Sequence, residues 1–143
     1  MAEAAHTIHV DIVSAEGQIF SGEAKMVFAP ASQGDVGIAP RHAPLLTLLK
    51  AGEVRVQTPD GQEQVFFVGG GALEVQPTKV TVLADTALRA KDIDEAAALA
   101  AKQRAEEALK DASGHITQAQ ALAELARAAA QLKVLERLRK IRS

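Results

Sequence analysis

The chain of 143 residues contains no cysteine, no tryptophan and no tyrosine, and phenylalanine occurs only four times. The absence of cysteine excludes disulfide bridges, thiol nucleophiles and zinc sites with thiolate ligands. Single-stranded nucleic acids are bound through stacks on aromatic side chains, so the shortage of aromatics argues against a nucleic-acid partner. A core must instead be built from Val, Ile, Leu and Ala, which the hydrophobic content of 48% permits.

Long apolar runs are also missing. No stretch approaches the roughly 20 apolar residues that span a bilayer, and residues 1–6 lack the basic start and apolar run of a signal peptide. We therefore expect no direct membrane insertion, and any membrane association must come through a partner. The sequence also shows no nucleophile–base pair, metal cluster or cofactor loop, so we expect neither catalysis nor a cofactor nor a bound metal.

Charge is distributed unevenly along the chain. Residues 1–87 hold ten acids and five bases, whereas residues 88–143 hold eight acids and eleven bases. From Arg127 onward there are six bases and one acid. The small net charge of −2 thus conceals a basic C-terminal end, which is a typical sign of a binding partner.

Residues 1–87 show the period-2 alternation of β-strands. Ile8, Val10 and Ile12, for example, alternate with polar residues, and turn signals recur every eight to twelve residues. The glycines at 69–71 are not followed by the Lys-Ser/Thr of a phosphate-binding loop, so we interpret them as tight packing or a bulge. This pattern predicts an all-β antiparallel sandwich.

Residues 88–143 instead show the composition and period of helices. Asp92 with Glu95 resembles a capping box that starts one helix, and Thr117 with Gln120 gives a second. The second helix should carry one apolar stripe, formed by Leu122, Leu125, Ala129, Leu132, Leu135 and Leu138. Two helices joined by a short loop usually fold back on each other, so we predict a C-terminal antiparallel α-helical hairpin.

The most specific string, GDVGIAPRHAPLLT at residues 34–47, lies in what we read as a loop between strands. It resembles the signature of ATP synthase epsilon subunits, in which an acidic residue between glycines precedes Pro-x-His-Ala-Pro-Leu-Leu-Thr. Further strings match the family in the correct order, at residues 13–16, 19–22, 70–75, 80–87 and 123–128. The resemblance therefore covers nearly the whole chain.

The resemblance implies a sandwich of about ten strands and a function in the rotor of a bacterial F-type ATP synthase. In the family, the sandwich binds the gamma subunit and rests on the ring of c subunits at the cytoplasmic face of the inner membrane. The hairpin can extend into the alpha/beta catalytic head and block ATP hydrolysis. We therefore expect a non-catalytic subunit that couples rotation to ATP synthesis and inhibits hydrolysis.

Two sets of contact residues on the sandwich follow from the resemblance. The residues expected at the c ring are Gly34, Asp35 and Gly37, and those expected at gamma are Ser14, His42 and Thr47. From composition alone, Asp35 could instead be a turn carboxylate that binds backbone amides, but we favour the c-ring contact. His42 could be a lone metal ligand or a base, but its neighbours offer no carboxylate at ligand spacing, so we favour a buried or half-buried, hydrogen-bonded side chain. The other histidines, His6, His9 and His115, form no motif.

The basic end has two interpretations. It could be a solvated helix face whose charge suits a helix C-terminus. The resemblance favours contact with acidic loops of the catalytic head, through Lys133, Arg137, Arg139, Lys140 and Arg142.

An alternative function is an ATP-sensing epsilon-type module. Some family members bind ATP through an Ile/Leu-Asp-x-x-Arg-Ala motif, of which Ile93 and Asp94 are present while Ala97 replaces the arginine. Arg127 matches one further arginine, but Gln131 stands in place of another. Phosphates need several cationic donors, so we expect weak or no ATP binding.

Overall fold

The computed structural model describes residues 6–110 and 117–142, with side chains up to residue 140. The chain divides into two compact units, Met1–Arg89 and Ala90–Ser143. The first unit contains the strands β1 Ile8–Ser14, β2 Gly17–Ala24, β3 Met26–Ala31, β4 Gly34–Ile38, β5 Leu45–Gln57, β6 Glu63–Gln76, β7 Lys79–Ala84 and β8 Ala87–Arg89. The second contains a 3₁₀ turn at Ala90–Asp92 and the helices α1 Glu95–Lys110 and α2 Gln118–Arg142. The predicted order of a β-sandwich followed by two helices is confirmed.

The alternation of apolar and polar residues in the sequence corresponds to the alternation of buried and outward-facing side chains in the sheet. In β1, Ile8, Val10 and Ile12 are fully buried, whereas His9 and Asp11 face outward. The same parity in the other strands builds a core of aliphatic side chains around a single fully buried aromatic of the cluster, Phe66. The aliphatic core therefore follows from composition, since the chain has only four phenylalanines and no tryptophan or tyrosine.

Within the sheet the strands lie side by side in the order β2-β1-β7-β6-β5-β3-β4. β8 lies off this path and pairs with β6, next to the stretch of β6 that pairs with β7. All pairs are antiparallel except β1 with β7, which are parallel. The 14-residue β6 pairs with β8 through residues 66–68 and with β7 through residues 71–76. Among the described residues the strands number eight and not about ten, because β5 and β6 are long, continuous strands: β5 pairs with β3 and β6, and β6 pairs with β5, β7 and β8.

Residues 34–38, which the sequence suggested were part of a loop, form the edge strand β4. They pair with β3 through a tight turn, in which Ala31 lies opposite Gly34. The φ of Gly34 is 135°, a value that glycine adopts without strain, and this permits the reversal. Only residues 39–44 remain as a loop before β5.

The capping of α2 is as predicted, whereas that of α1 differs. Thr117 Oγ1 accepts from Gln120 N at 3.1 Å, and Gln120 Oε1 accepts from Thr117 N at 3.0 Å, which is a complete capping box. For α1 the cap is Asp94, whose carboxylate accepts from Ala97 N at 3.1 Å. Asp92, the predicted cap, instead ends the 3₁₀ turn, which displaces the helix start by two residues.

The two helices pack on each other through small side chains. The buried residues are Ala98 and Ala105 on α1, and Ala121, Ala128 and Val134 on α2. The predicted stripe is thus partly wrong, because Leu122 is 54% exposed and Ala129 is also exposed. Alanines seven residues apart on both helices form the seam, and leucines at 125, 132, 135 and 138 border it half-buried. In the described part of the chain, neither helix combines the length and the apolar character needed to cross a bilayer.

Candidate docking surfaces

An exposed apolar surface crosses four strands on the outer side of the sheet. Leu48 on β5 lies opposite Ala72 on β6, which lies opposite Leu83 on β7, which lies beside Val13 on β1. Leu46 is two residues before Leu48 and therefore on the same side of β5. We call these five residues the apolar face. Leu46, Leu48 and Leu83 are 76%, 67% and 51% exposed, which is unusual for three neighbouring leucines.

The residues expected at gamma are not gathered at one point. Thr47 lies on β5 between Leu46 and Leu48, half-buried, with its side chain on the opposite side of the sheet from the apolar face, and Ser14 ends β1. Three strand spacings separate β5 from β1, which is about 14 Å at 4.8 Å per strand. Ser14 is only 8% exposed, and its Oγ accepts from Glu16 N at 3.2 Å. Ser14 thus shapes the β1–β2 turn and offers little surface of its own.

His42 lies in the loop before β5, in a conformation set by its neighbour. Arg41 has a positive φ of 67° and its N donates to Pro77 O at 2.8 Å, which ties the loop to the end of β6. The His42 Nδ1 donates to Ala43 O at 2.7 Å. The sequence predicted a buried or half-buried, hydrogen-bonded histidine, and His42 is half-buried with this hydrogen bond.

The residues expected at the c ring lie together on the edge strand β4. Asp35 and Gly37 alternate with half-buried neighbours and are exposed, while Gly34 is half-buried at the turn. No Cβ is present at Gly37, where one would come within 3.2 Å of the Phe28 ring. The edge is therefore flat, with a single exposed carboxylate, which is a surface that a polar loop can approach closely.

The basic side chains lie in the last turns of α2. Arg139 Nη2 forms an ion pair with Glu95 Oε1 at the start of α1, and Lys140 Nζ pairs with Glu136 Oε1 at 3.5 Å. Lys133 is exposed and Arg137 is half-buried. The side chain of Arg142 lies outside the described residues. At least one of the proposed contact residues, Arg139, is thus engaged within the hairpin.

The residues of the incomplete ATP motif have structural tasks in this state. Asp94 caps α1, as described above, and Ile93 is 8% exposed. Ala97 contributes its backbone N–H to that cap, where the motif would require an arginine side chain. Arg127 is exposed on α2. Only one of the motif's cationic side chains is therefore available at these positions.

A polar cluster that the sequence did not suggest lies on the outer side of β1, β2 and β7. His9 Nδ1 is 2.8 Å from Glu23 Oε2, and His9 Nε2 is 3.0 Å from Asp11 Oδ1. Ser21 Oγ donates to Asp11 Oδ1 at 2.7 Å, and Lys79 Nζ is 3.2 Å from Asp11 Oδ2. Carboxylate oxygens only accept hydrogen bonds, so both ring nitrogens must carry protons to satisfy this geometry. The cluster therefore favours the imidazolium form of His9.

The titration of these groups follows from their contacts. The hydrogen bond to Glu23 raises the pKa of His9, with a further contribution from Asp11 that partial burial opposes. The Ser21 hydroxyl, followed by Lys79 and His9, lowers the pKa of Asp11. His9 and Thr7 likewise lower the pKa of Glu23. The signal in the sequence was the i, i+2 spacing of His9 and Asp11, which places both side chains on one side of β1.

Among the described residues, no group of three or more His, Cys, Asp or Glu side chains could hold a metal ion.

The chain matches two family models that together cover most of its length. Residues 7–90 match the ATP synthase delta/epsilon chain β-sandwich domain, and residues 91–136 match the ATP synthase delta/epsilon chain long α-helix domain. Similar proteins include the ATP synthase epsilon chain of Nitrosococcus oceani, 68% identical over 95% of this chain and 97% of that protein. The ATP synthase epsilon chain 1 of Methylococcus capsulatus is 62% identical over 97% of this chain and 99% of that protein.

Solved structures agree in fold. A chain of the Euglena gracilis mitochondrial ATP synthase, in a structure of its OSCP, F1 and c-ring, superposes with a TM-score of 0.81 and 16% identity, over 91% of this chain and 82% of that one. A chain in a structure of the central stalk and c-ring of the Tetrahymena thermophila mitochondrial ATP synthase superposes with a TM-score of 0.61 and 13% identity, over 90% of this chain and 96% of that one. With both domains, their order and near full-length identity above 60% in agreement, the chain belongs to the bacterial F-type ATP synthase epsilon-subunit family.

Proposed function

We propose that the chain couples rotation of gamma and the c ring to ATP synthesis, and that its helices inhibit ATP hydrolysis. In this proposal the subunit catalyses nothing itself. It is held peripherally at the cytoplasmic face of the bacterial inner membrane by gamma and the c ring. Torque then passes through a rigid β head, while the helical hairpin acts on the alpha/beta head.

The apolar face is the observation that carries the coupling role. A soluble monomer gains nothing by exposing Leu46, Leu48 and Leu83 side by side, whereas burial of each by a partner contributes up to about 1.5–3 kcal/mol. The face spans β1, β5, β6 and β7, which are joined by continuous hydrogen-bonded pairing. A load applied there is distributed over the whole sheet, as a rotor contact requires.

The experiment that tests this role compares two sets of exposed leucines. Leu46→Ser combined with Leu48→Ser should weaken binding to purified gamma at least tenfold by calorimetry, because buried apolar contacts dominate interface energies. Leu88→Ser is the matched control, since Leu88 is 37% exposed on β8 and lies outside the apolar face. If the double variant binds gamma as tightly as the wild-type protein, the apolar face is not the gamma contact.

The residues predicted to contact gamma and the c ring have different roles in this proposal. His42 borders the gamma contact. Thr47 lies on the opposite side of β5, where its hydroxyl donates to Leu48 O and supports the backbone between the two leucines, and Ser14 acts through the turn that it stabilises. Gly34, Asp35 and Gly37 form the c-ring contact, where the flat edge of β4 permits close approach and Asp35 attracts basic groups.

Inhibition is assigned to residues 88–143, and above all to the basic end of α2. Lys133, Arg137, Arg139, Lys140 and Arg142 would contact acidic loops of the alpha/beta head when the hairpin extends. The ion pair of Arg139 with Glu95 joins the two helices, so extension of the hairpin would break it and free the guanidinium for the alpha/beta head. ATP sensing is less well supported, since Asp94 and the Ala97 amide already satisfy each other in the cap.

A further inference from the structure

A shallow groove crosses the apolar face between β5 and β7. Leu48 and Leu49 line one side, Leu83 lines the other, and Gly70, Gly71 and Ala72 of β6 lie between them. β6 is the middle strand here, and its glycines carry no side chains, so its backbone forms the floor. The groove is thus a local depression in the apolar face.

The two glycines make the groove a fixed feature of the sheet. At Gly71 a Cβ would lie 2.1 Å from Leu83 O, which no real side chain tolerates. At Gly70 the φ is 105°, in a region that favours glycine. Neither position can therefore hold a larger residue that would fill the depression.

An exposed carboxylate lies at the groove. Asp85 is one of its lining residues, and its Oδ2 lies 3.2 Å from where a Cβ on Gly70 would be. Its backbone N donates to Gly70 O at 3.0 Å, which fixes the residue to the floor strand. Within the part of the chain that the structure describes, the Asp85 side chain makes no hydrogen bond or ion pair.

We propose that this groove receives a lysine or arginine side chain from the gamma subunit. The aliphatic stem lies between Leu48 and Leu83, and the cationic group pairs with Asp85. Long basic side chains combine an apolar stem with a charged end, which matches an apolar groove that carries a single acid. The excess of acids in residues 1–87 makes the sandwich attractive to such a cation. This inference rests on the proposed contact between the apolar face and gamma.

Calorimetry with the full chain and purified gamma tests the inference at two salt concentrations. Asp85→Asn should weaken binding about tenfold at 50 mM NaCl and about twofold at 1 M, where the Debye length falls to about 3 Å. Asp85→Glu, which keeps the charge, should restore the affinity to within about threefold of wild type. Glu106→Gln is the control for net charge, since Glu106 is an exposed acid on α1, and it should bind like wild type at both salt concentrations.

The outcomes separate this inference from the proposed function. If wild type and Asp85→Asn bind equally well at low salt, or if Glu106→Gln weakens binding as much as Asp85→Asn, the groove does not hold a cation. The contact at the apolar face would then stand on the leucine variants alone. If the wild-type chain does not bind gamma at all, both proposals are wrong.

Discussion

Two glycines with almost the same backbone angle have different reasons to be glycine. Gly17 has a φ of 125° with no atom within 4 Å of a Cβ, so only the backbone angle demands glycine there. Gly71 has a φ of 133°, and a Cβ would also overlap the β7 backbone. The sequence predicted tight packing or a bulge at 69–71 but could not say which atoms approach, because that depends on the pairing of β6 with β7.

The first prediction compares these glycines. Gly17→Ala should lower the free energy of unfolding by about 1–2 kcal/mol, which is the cost of a left-handed non-glycine residue. Gly71→Ala should cost at least about 2 kcal/mol more, because backbone must move to relieve the overlap. Urea unfolding followed by circular dichroism measures both. Equal losses for the two variants would show that the close approach of β6 and β7 is not rigid.

The second prediction concerns the protonation of His9. The pKa of His9 is raised by Glu23, so its ion pairs stabilise the fold fully below about pH 6.5 and are lost as pH rises through the raised value. The His9 side chain is 37% exposed, so this stabilisation should remain below about 1 kcal/mol. An NMR titration should show the pKa of His9 falling in Glu23→Gln and unchanged in Glu16→Gln. A pKa that does not move in Glu23→Gln would contradict the cluster.

At the scale of secondary-structure elements, features set by residues close in the sequence could be predicted, whereas features set by contacts between distant residues could not. The capping box at Thr117 and Gln120 involves residues three apart, so the start of α2 could be predicted from sequence. The start of α1 was displaced because Asp92 and Asp94 both suit a cap, and the 3₁₀ turn that decides between them leaves no clear mark in the sequence. The residues of the seam between the helices were predicted partly wrongly, because alanine and leucine both fit an apolar stripe.

A substitution at Thr117 tests the capping box at the start of α2. Thr117→Ala should destabilise the hairpin by about 1 kcal/mol, because Gln120 N loses its acceptor. Thermal unfolding monitored by helical circular dichroism measures this loss. Gln118→Ala, one residue away and outside the capping box, is the control and should change the transition little. A loss of the same size in both variants would argue against the capping box.

At the scale of the whole molecule, the chain joins two units of different character. The sandwich has a large aliphatic core and a continuous sheet, whereas the described seam of the hairpin consists mainly of alanines, which bury little area each. The order of the units could be read from the change of period near residue 88. The apolar face could not, because it arises only when the register of β1, β5, β6 and β7 brings distant leucines together.

The central claim is that the sandwich transmits rotation while the helices restrain hydrolysis. Its most direct test measures ATP hydrolysis and ATP-driven proton pumping in membranes reconstituted with the full chain or with a chain that ends at Ala90. We predict that the shortened chain raises hydrolysis several-fold and still supports proton pumping. Hydrolysis that stays at the level given by the full chain, or pumping that disappears, would contradict this division of labour.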